Sequence, residues 1–252
     1  ADAEKLVAEC CQAGSAIITK VEQKEKSEKP PALFDLTSLQ REANRQLGFT
    51  AQQTLDYTQA LYEKKLVTYP RTDSRYLTDD MAPLVPELVS VIQQSFRIQP
   101  DVPAPVNAAQ VINSKKVTDH HAIIPTEQYV QLSALSNEER RIYDLVVRRF
   151  LAVLLPPCVY EETVIQASIE KECFTARGKR MVEKGWQEAY EDNRYDEEDE
   201  AKEEVREQNL PLLEAGMKIG QPKISLREGK TKPPAPFNEA TLLSAMENPV
   251  AY

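Results

Sequence analysis

The chain is poor in the residues that build metal sites and disulfide frameworks. Its 252 residues hold four cysteines and two histidines. Cys10 and Cys11 are neighbours and no C-x-x-C pair occurs, so neither a zinc site nor a disulfide framework is indicated. The two histidines, His120 and His121, are adjacent and have no cysteine nearby, which argues against a metal centre. Long apolar runs are also missing. No stretch approaches the roughly 20 residues that span a bilayer, and no basic-then-apolar signal opens the chain. No membrane partner is therefore expected, and the sparse cysteines fit a reducing, cytoplasmic setting.

What remains is 41% hydrophobic and 28% charged, enough for one large or two small globular domains. The net charge of −9 argues at first against a nucleic-acid partner. Its distribution reverses that reading. Residues 188–207 carry eleven acidic and three basic side chains, which leaves the rest of the chain close to neutral. On that remainder sit basic clusters at Lys64-Lys65, Arg71/Arg75, Lys115-Lys116 and Arg140-Arg141/Arg148-Arg149. A locally basic groove on a nearly neutral body is compatible with DNA binding.

The most informative stretch runs from Val67 to Arg75, VTYPRTDSR. A phenol ionises only near pH 10, so it is a weak nucleophile at neutral pH. A tyrosine that attacks a phosphodiester needs a fixed cation to stabilise the phenolate and the charge developing on phosphorus. Arginine suits this because it stays charged and presents a planar fork to phosphate oxygens. On a strand, Tyr69 and Arg71 would share a face, unless Pro70 breaks the alternation. The plain alternative is a packing tyrosine on a strand that leads into an ordinary Tyr-Pro-x-x-Asp-Ser turn.

Leu66 to Ser74, LVTYPRTDS, resembles the active-site signature of type IA DNA topoisomerases, and Tyr-Pro-Arg resembles the bacterial topoisomerase III branch. Asp119 to Thr126, DHHAIIPT, is similar to that branch's histidine motif. Pro30 to Gln40, PPALFDLTSLQ, followed by Ala43-Asn44 and Leu47-Gly48, is similar to a third. The three stand in family order. The resemblance implies Tyr69 as the nucleophile that forms a 5′-phosphotyrosine link with single-stranded DNA, with Arg71 stabilising the phosphate or phenolate. It implies DNA contacts from His120, Arg75, Ser74 and Thr72, with Asp119 orienting His120. From the residues alone His120 could equally be a satisfied structural histidine, the alternative being a donor to a backbone phosphate. A magnesium ion would be held by the family's Toprim domain, which this chain lacks along with the groove domains. No metal is expected in the chain itself, and by itself it is expected to be inactive.

The chain opens at Ala1 and stops at Tyr252 just after a helix start at Asn238, which reads as the central fragment of a longer protein. The fold expected is α+β. A β-rich arch domain would be interrupted by a helical, winged-helix or CAP-like domain carrying the tyrosine. Its parts would be residues 1–47 and 157–230 for the arch, 48–156 for the insertion, and 231–252 for the start of the next domain.

Local signals fill in the elements. Asp2 to Gln12 reads as a helix stopped by Gly14, and Ala16 to Val21 as a strand with a solvated extension or turn after it. Capping boxes are expected at Thr37-x-x-Gln40, Thr50-x-x-Gln53 and Ser136-x-x-Glu139. The first two helices fit a helix-turn-helix or winged helix, and equally a generic helical subdomain. Tyr62 is expected to face inward, and Thr78 to cap a helix. Arg141, Arg148 and Arg149 read as a solvated face, with phosphate tracking as the alternative. From Cys158 strands follow, with a hairpin turn at Arg177-Gly178-Lys179 and a last strand within 218–226. The acidic run Asp196 to Glu200 reads as a solvated loop, since its Asp-x-Glu-x-Glu spacing departs from the family's Asp-x-Asp-x-Glu magnesium pattern. A different class stays open: a non-catalytic module binding single-stranded DNA, with Tyr69 stacking on a base, or a duplex-binding helix-turn-helix protein.

Overall fold

Alternating and β-branched residues after Gly14 draw the chain into a long strand, and a second such run begins at Cys158. The computed structural model describes residues 2–96, 102–103, 106–190, 210–231 and 233–249. It contains β1 (Ser15–Glu28), β2 (Cys158–Ile169), β3 (Glu172–Glu183) and β4 (Lys218–Gly220), joined as one antiparallel sheet in the order β3-β2-β1-β4. The chain thus leaves the sheet after Glu28 and returns to it at Cys158. Between lie α2 (Leu36–Leu47), α3 (Ala51–Glu63), α4 (Leu84–Phe96) and α5 (Asn137–Ala152), while α1 (Asp2–Gln12) precedes the sheet and α6 (Glu239–Glu247) follows it. The architecture is mixed α/β with an antiparallel sheet.

Two compact units emerge. The first comprises the described residues of 1–28, 158–184 and 198–234, the second those of 29–157, 185–197 and 235–252. In the first unit, Val21 opposes Ile165 and Glu28 opposes Cys158, with a bulge between Ile18 and Lys20. Of the two readings of the charged run after Val21, a solvated extension or a turn, it is an extension: it continues β1 to Glu28, each residue facing a partner on β2. Lys26 pairs with Glu162 at 2.5 Å on the neighbouring strand. The expected hairpin at Arg177-Gly178-Lys179 is corrected. These residues lie inside β3 opposite Val164, Thr163 and Glu162, and the turn falls at Glu170-Lys171, where Glu170 takes φ 52°. Twelve residues of β2 need a partner strand of matching length, and the Lys179 ammonium rests 4.0 Å from the Tyr160 ring centre. A small core of Cys10, Ala16 and Ile169, flanked by Ala13 and Ile224, closes the end of the sheet near α1.

In the second unit the helices are defined by their caps. Thr50 and Ser136 form reciprocal boxes with Gln53 and Glu139, and Asn238 does so with Thr241. The box of α2 is corrected from Thr37 to Asp35. The Asp35 carboxylate accepts from the Ser38 N–H at 2.7 Å, and the Ser38 hydroxyl accepts from the Asp35 N–H at 3.1 Å. Thr78 caps no helix. It precedes a 3₁₀ turn, Asp79–Met81, without a side-chain cap bond, and the Asp79 N–H donates to the Ser114 hydroxyl at 2.9 Å.

The core here is formed by Leu39, Ala43, Leu61, Ile142, Val146 and Phe150. Arg149 belongs to it, which corrects the solvated reading of this residue. Its guanidinium donates to the Tyr190 hydroxyl at 3.0 Å and the Ala32 carbonyl at 3.1 Å, and lies 4.0 Å from the Phe34 ring centre. Burial raises the Tyr190 phenol above its usual range, opposed by that arginine. Arg148 is also tied down, to Asp144 at 2.7 Å and the Ala189 carbonyl at 2.9 Å. α6 lies on α2, where Arg41 meets Glu247 at 2.9 Å.

Candidate active site

The site is assembled by three sequence segments that meet through backbone hydrogen bonds. At the end of α3, the Leu66 N–H donates to the Leu61 carbonyl at 2.9 Å and the Lys65 N–H to that of Tyr62 at 2.8 Å. This is the Schellman pattern, with Lys65 rather than glycine in the left-handed position at φ 60°. It turns the chain directly into the Tyr69 loop. That loop is not a regular strand. Val67 forms an isolated antiparallel bridge with Pro125, and Tyr69 itself lies in irregular backbone.

The loop is zipped onto the histidine segment. The Thr68 N–H donates to the Ile124 carbonyl at 3.0 Å, and the Thr126 N–H donates to the Leu66 carbonyl at 3.1 Å. The Thr68 hydroxyl donates to the Ala122 carbonyl and accepts from the Ile124 N–H, each at 3.0 Å. Further on, the Thr72 hydroxyl donates to the His120 carbonyl at 2.8 Å. The third segment joins from the other side. Phe34 bridges Ile123, and the Leu36 N–H donates to the Thr72 carbonyl at 3.1 Å. All three motifs singled out in the sequence therefore converge in one place.

The result is an aromatic group around Tyr69. Its ring lies 4.3 Å from the His120 ring centre, tilted by 43°, and the Tyr62 ring meets it nearly edge-on at 5.4 Å. Tyr69 is half-buried and His120 is exposed. Beside them is an open hollow lined by Tyr62, Glu63, Lys65, Thr68, Tyr69 and His121, among others. The two histidines differ. The His121 Nδ1 lies 2.9 Å from the Ala122 carbonyl, whereas the His120 ring nitrogens have no hydrogen-bond partner among the described residues. Asp119 is exposed and makes no hydrogen bond to His120 among those residues.

The remaining predicted residues divide sharply. Arg71 is exposed, and its Nη1 donates to the Gln59 Oε1 at 3.0 Å. Arg75 is engaged: its Nε pairs with Asp35 at 2.5 Å and its Nη2 lies 3.7 Å from Glu247. Thr72 and Ser74 are buried, and the Ser74 hydroxyl donates to the Lys116 carbonyl at 2.9 Å. These two hydroxyls hold the loop to its neighbours. Tyr62, expected to face inward, is instead exposed against Tyr69. Gln59 was not singled out at all, although its position three residues before Tyr62 puts both on one helical face.

No metal arrangement accompanies this group. Among the described residues no set of three or more His, Cys, Asp or Glu side chains could hold an ion. The run Asp196 to Glu200 lies outside the described residues. Among those residues no helix is long and apolar enough to cross a membrane.

Comparison with known proteins bears on this arrangement. A family model described as DNA topoisomerase matches residues 1–249. DNA topoisomerase 3 of Bacillus cereus strain ZK / E33L is 46% identical over 243 residues, covering 94% of this chain and 33% of the relative. DNA topoisomerase 3 of Bacillus subtilis strain 168 is 44% identical over 246 residues, covering 96% of this chain and again 33% of the relative. Among solved structures, full-length topoisomerase I from Thermotoga maritima superposes with a TM-score of 0.72 at 25% identity. That match covers 98% of this chain and 39% of the other. The chain thus spans about a third of the length of the curated relatives it matches. Matched by the family model along nearly its whole length, the chain belongs to the DNA topoisomerase family.

Proposed function

We propose that this chain is the central, tyrosine-bearing part of a type IA DNA topoisomerase of the topoisomerase III kind, acting on single-stranded DNA. The observation that carries the proposal is the contact of Tyr69 with His120, their ring centres 4.3 Å apart, on two segments locked together by backbone hydrogen bonds. In the reaction, the Tyr69 oxygen attacks a backbone phosphorus. A new phosphotyrosyl bond forms as the bond from phosphorus to the 3′ oxygen breaks. The phenol proton is lost and the departing 3′ oxygen takes one up. The protein keeps the 5′ phosphate, a second strand passes, and the 3′ hydroxyl attacks in reverse. One ester replaces another at each step, so ATP is not required.

The roles divide by exposure. Arg71 carries the exposed fork that would neutralise the phosphate. His120 presents free ring nitrogens at the face of the nucleophile, suited to donate to a neighbouring phosphate oxygen. Arg75 is a DNA contact only as part of its ion pair with Asp35, while Thr72 and Ser74 act by holding the loop. The magnesium proposed for the intact enzyme would be held by a Toprim domain and not by the residues of this site.

The domain reading proposed with this function divides the chain as arch 1–47 and 157–230, winged-helix-like insertion 48–156, and onward domain 231–252. The sheet from both chain ends and the helices between support its broad plan, and the compact units change over at residues 28 and 29. The setting proposed is cytoplasmic, and the chain alone is expected to be inactive.

The test uses the full-length enzyme carrying this chain, a labelled single-stranded oligonucleotide and magnesium, quenched in denaturant. A covalent protein–DNA band that disappears in Tyr69→Phe is expected. If no band forms and both proteins bind the oligonucleotide equally, Tyr69 is a stacking residue and the catalytic reading fails.

A further inference from the structure

One face of α3 touches two of the residues that the proposed reaction depends on, Tyr69 and Arg71. Gln59, Tyr62 and Glu63 stand at i, i+3 and i+4, a spacing that brings side chains onto one face. Tyr62 meets the Tyr69 ring edge-on at 5.4 Å. Gln59 accepts from the Arg71 Nη1 at 3.0 Å, and its own Nε2 donates to the Glu63 carboxylate at 3.1 Å. Among the described residues Gln59 is the one hydrogen-bond partner of the Arg71 guanidinium.

The direction of these bonds matters. An amide has one acceptor end and one donor end. Glu63 can only accept, so it draws the NH₂ end of Gln59 toward itself and leaves the oxygen facing Arg71. Arginine on an exposed loop otherwise samples many rotamers, and fixing a long side chain costs conformational entropy. A partner that fixes it beforehand removes that cost from the reacting state. Gln59 is neutral, so it holds the guanidinium without cancelling the charge that a phosphate would need. A carboxylate in its place would compete with the phosphate directly.

We propose that Gln59, oriented by Glu63, is a positioning residue that pre-sets the Arg71 guanidinium for phosphodiester cleavage by Tyr69. The inference rests on the topoisomerase reading above. Gln59 acts through Arg71 and has no need to touch DNA. Its loss should therefore slow the cleavage step while leaving binding in place, and should have no effect once Arg71 is gone.

The experiment is a double-mutant cycle in the full-length enzyme, with single-turnover cleavage of a labelled oligonucleotide and its binding measured separately. Gln59→Met keeps the length and helix propensity while removing the acceptor, and a thermal melt checks that it folds. Gln59→Met is expected to slow cleavage about tenfold with oligonucleotide affinity within about twofold of the parent. Arg71→Ala and the Arg71→Ala/Gln59→Met double variant are expected to cleave at the same rate. Independent, additive losses in the cycle would overturn the proposal, as would parental cleavage by Gln59→Met. A parent that forms no covalent adduct at all would overturn both this inference and the function it rests on, whereas an active parent with an additive cycle leaves the function standing.

Discussion

Thr68 is the residue that most directly fixes where Tyr69 sits. Its hydroxyl closes a two-way bridge, donating to the Ala122 carbonyl and accepting from the Ile124 N–H. Its own N–H completes a third bond, to the Ile124 carbonyl. Valine has nearly the same shape without the hydroxyl. Thr68→Val is therefore expected to strand the Ile124 donor and destabilise the protein by about 2 kcal/mol, the typical cost of an orphaned backbone group. Urea denaturation with an unchanged slope is the check, and a midpoint equal to the parent's would show that the bridge is dispensable. At this same scale Arg149 marks what a sequence hides. Of the four arginines on α5, Arg141, Arg148 and Arg149 read alike as a solvated face, yet Arg149 is buried among Tyr190, Ala32 and Phe34. Partners 41 and 117 residues away leave no local trace.

At the scale of elements, an ion pair ties the end of α3 to α5 beside their shared core. The Glu139 carboxylate closes the Ser136 capping box and accepts from the Lys64 ammonium at 2.6 and 2.7 Å. Partial burial works against its charge, but the bonds from Lys64 and from the Ser136 N–H outweigh this and hold the carboxyl below its usual range. A depressed folded-state value means the stabilisation is fully present above the unfolded value, about 4.3, and is lost as pH falls through the folded one. Glutamine can keep the capping box but not the charge. Glu139→Gln is thus expected to cost about 1 kcal/mol near pH 7 and progressively less toward acid. Thermal melts across pH check this, and a difference independent of pH would contradict it.

The helix starts at Thr50, Ser136 and Asn238 were legible because each box lies within four residues. The start of α2 was not. Thr37-x-x-Gln40 fits the sequence pattern of a capping box, whereas Asp35-x-x-Ser38 has serine in place of Glu or Gln, and Arg75, forty residues on, pairs with Asp35. Arg177-Gly178-Lys179 misled for a related reason. A glycine between basic residues signals a turn locally, while the length of β2 decides that the strand continues.

On the scale of the whole molecule, the site was legible as three motifs but not as a geometry. No local rule places Tyr69 against a histidine 51 residues later, or Thr72 under the carbonyl of that histidine. The resemblance supplied the roles, and the convergence of the segments supplies their arrangement. That arrangement also raises a sharp question, because Tyr62 offers a second, more exposed phenol beside the first. Locating the covalent bond decides between the two phenols. The full-length enzyme would be trapped on a single-stranded oligonucleotide, digested with nuclease and protease, and its peptides sequenced by mass spectrometry. A nucleotide joined through its 5′ phosphate to Tyr69 and to no other residue is expected. Attachment at Tyr62, or a phosphate linked through the 3′ end, would contradict it.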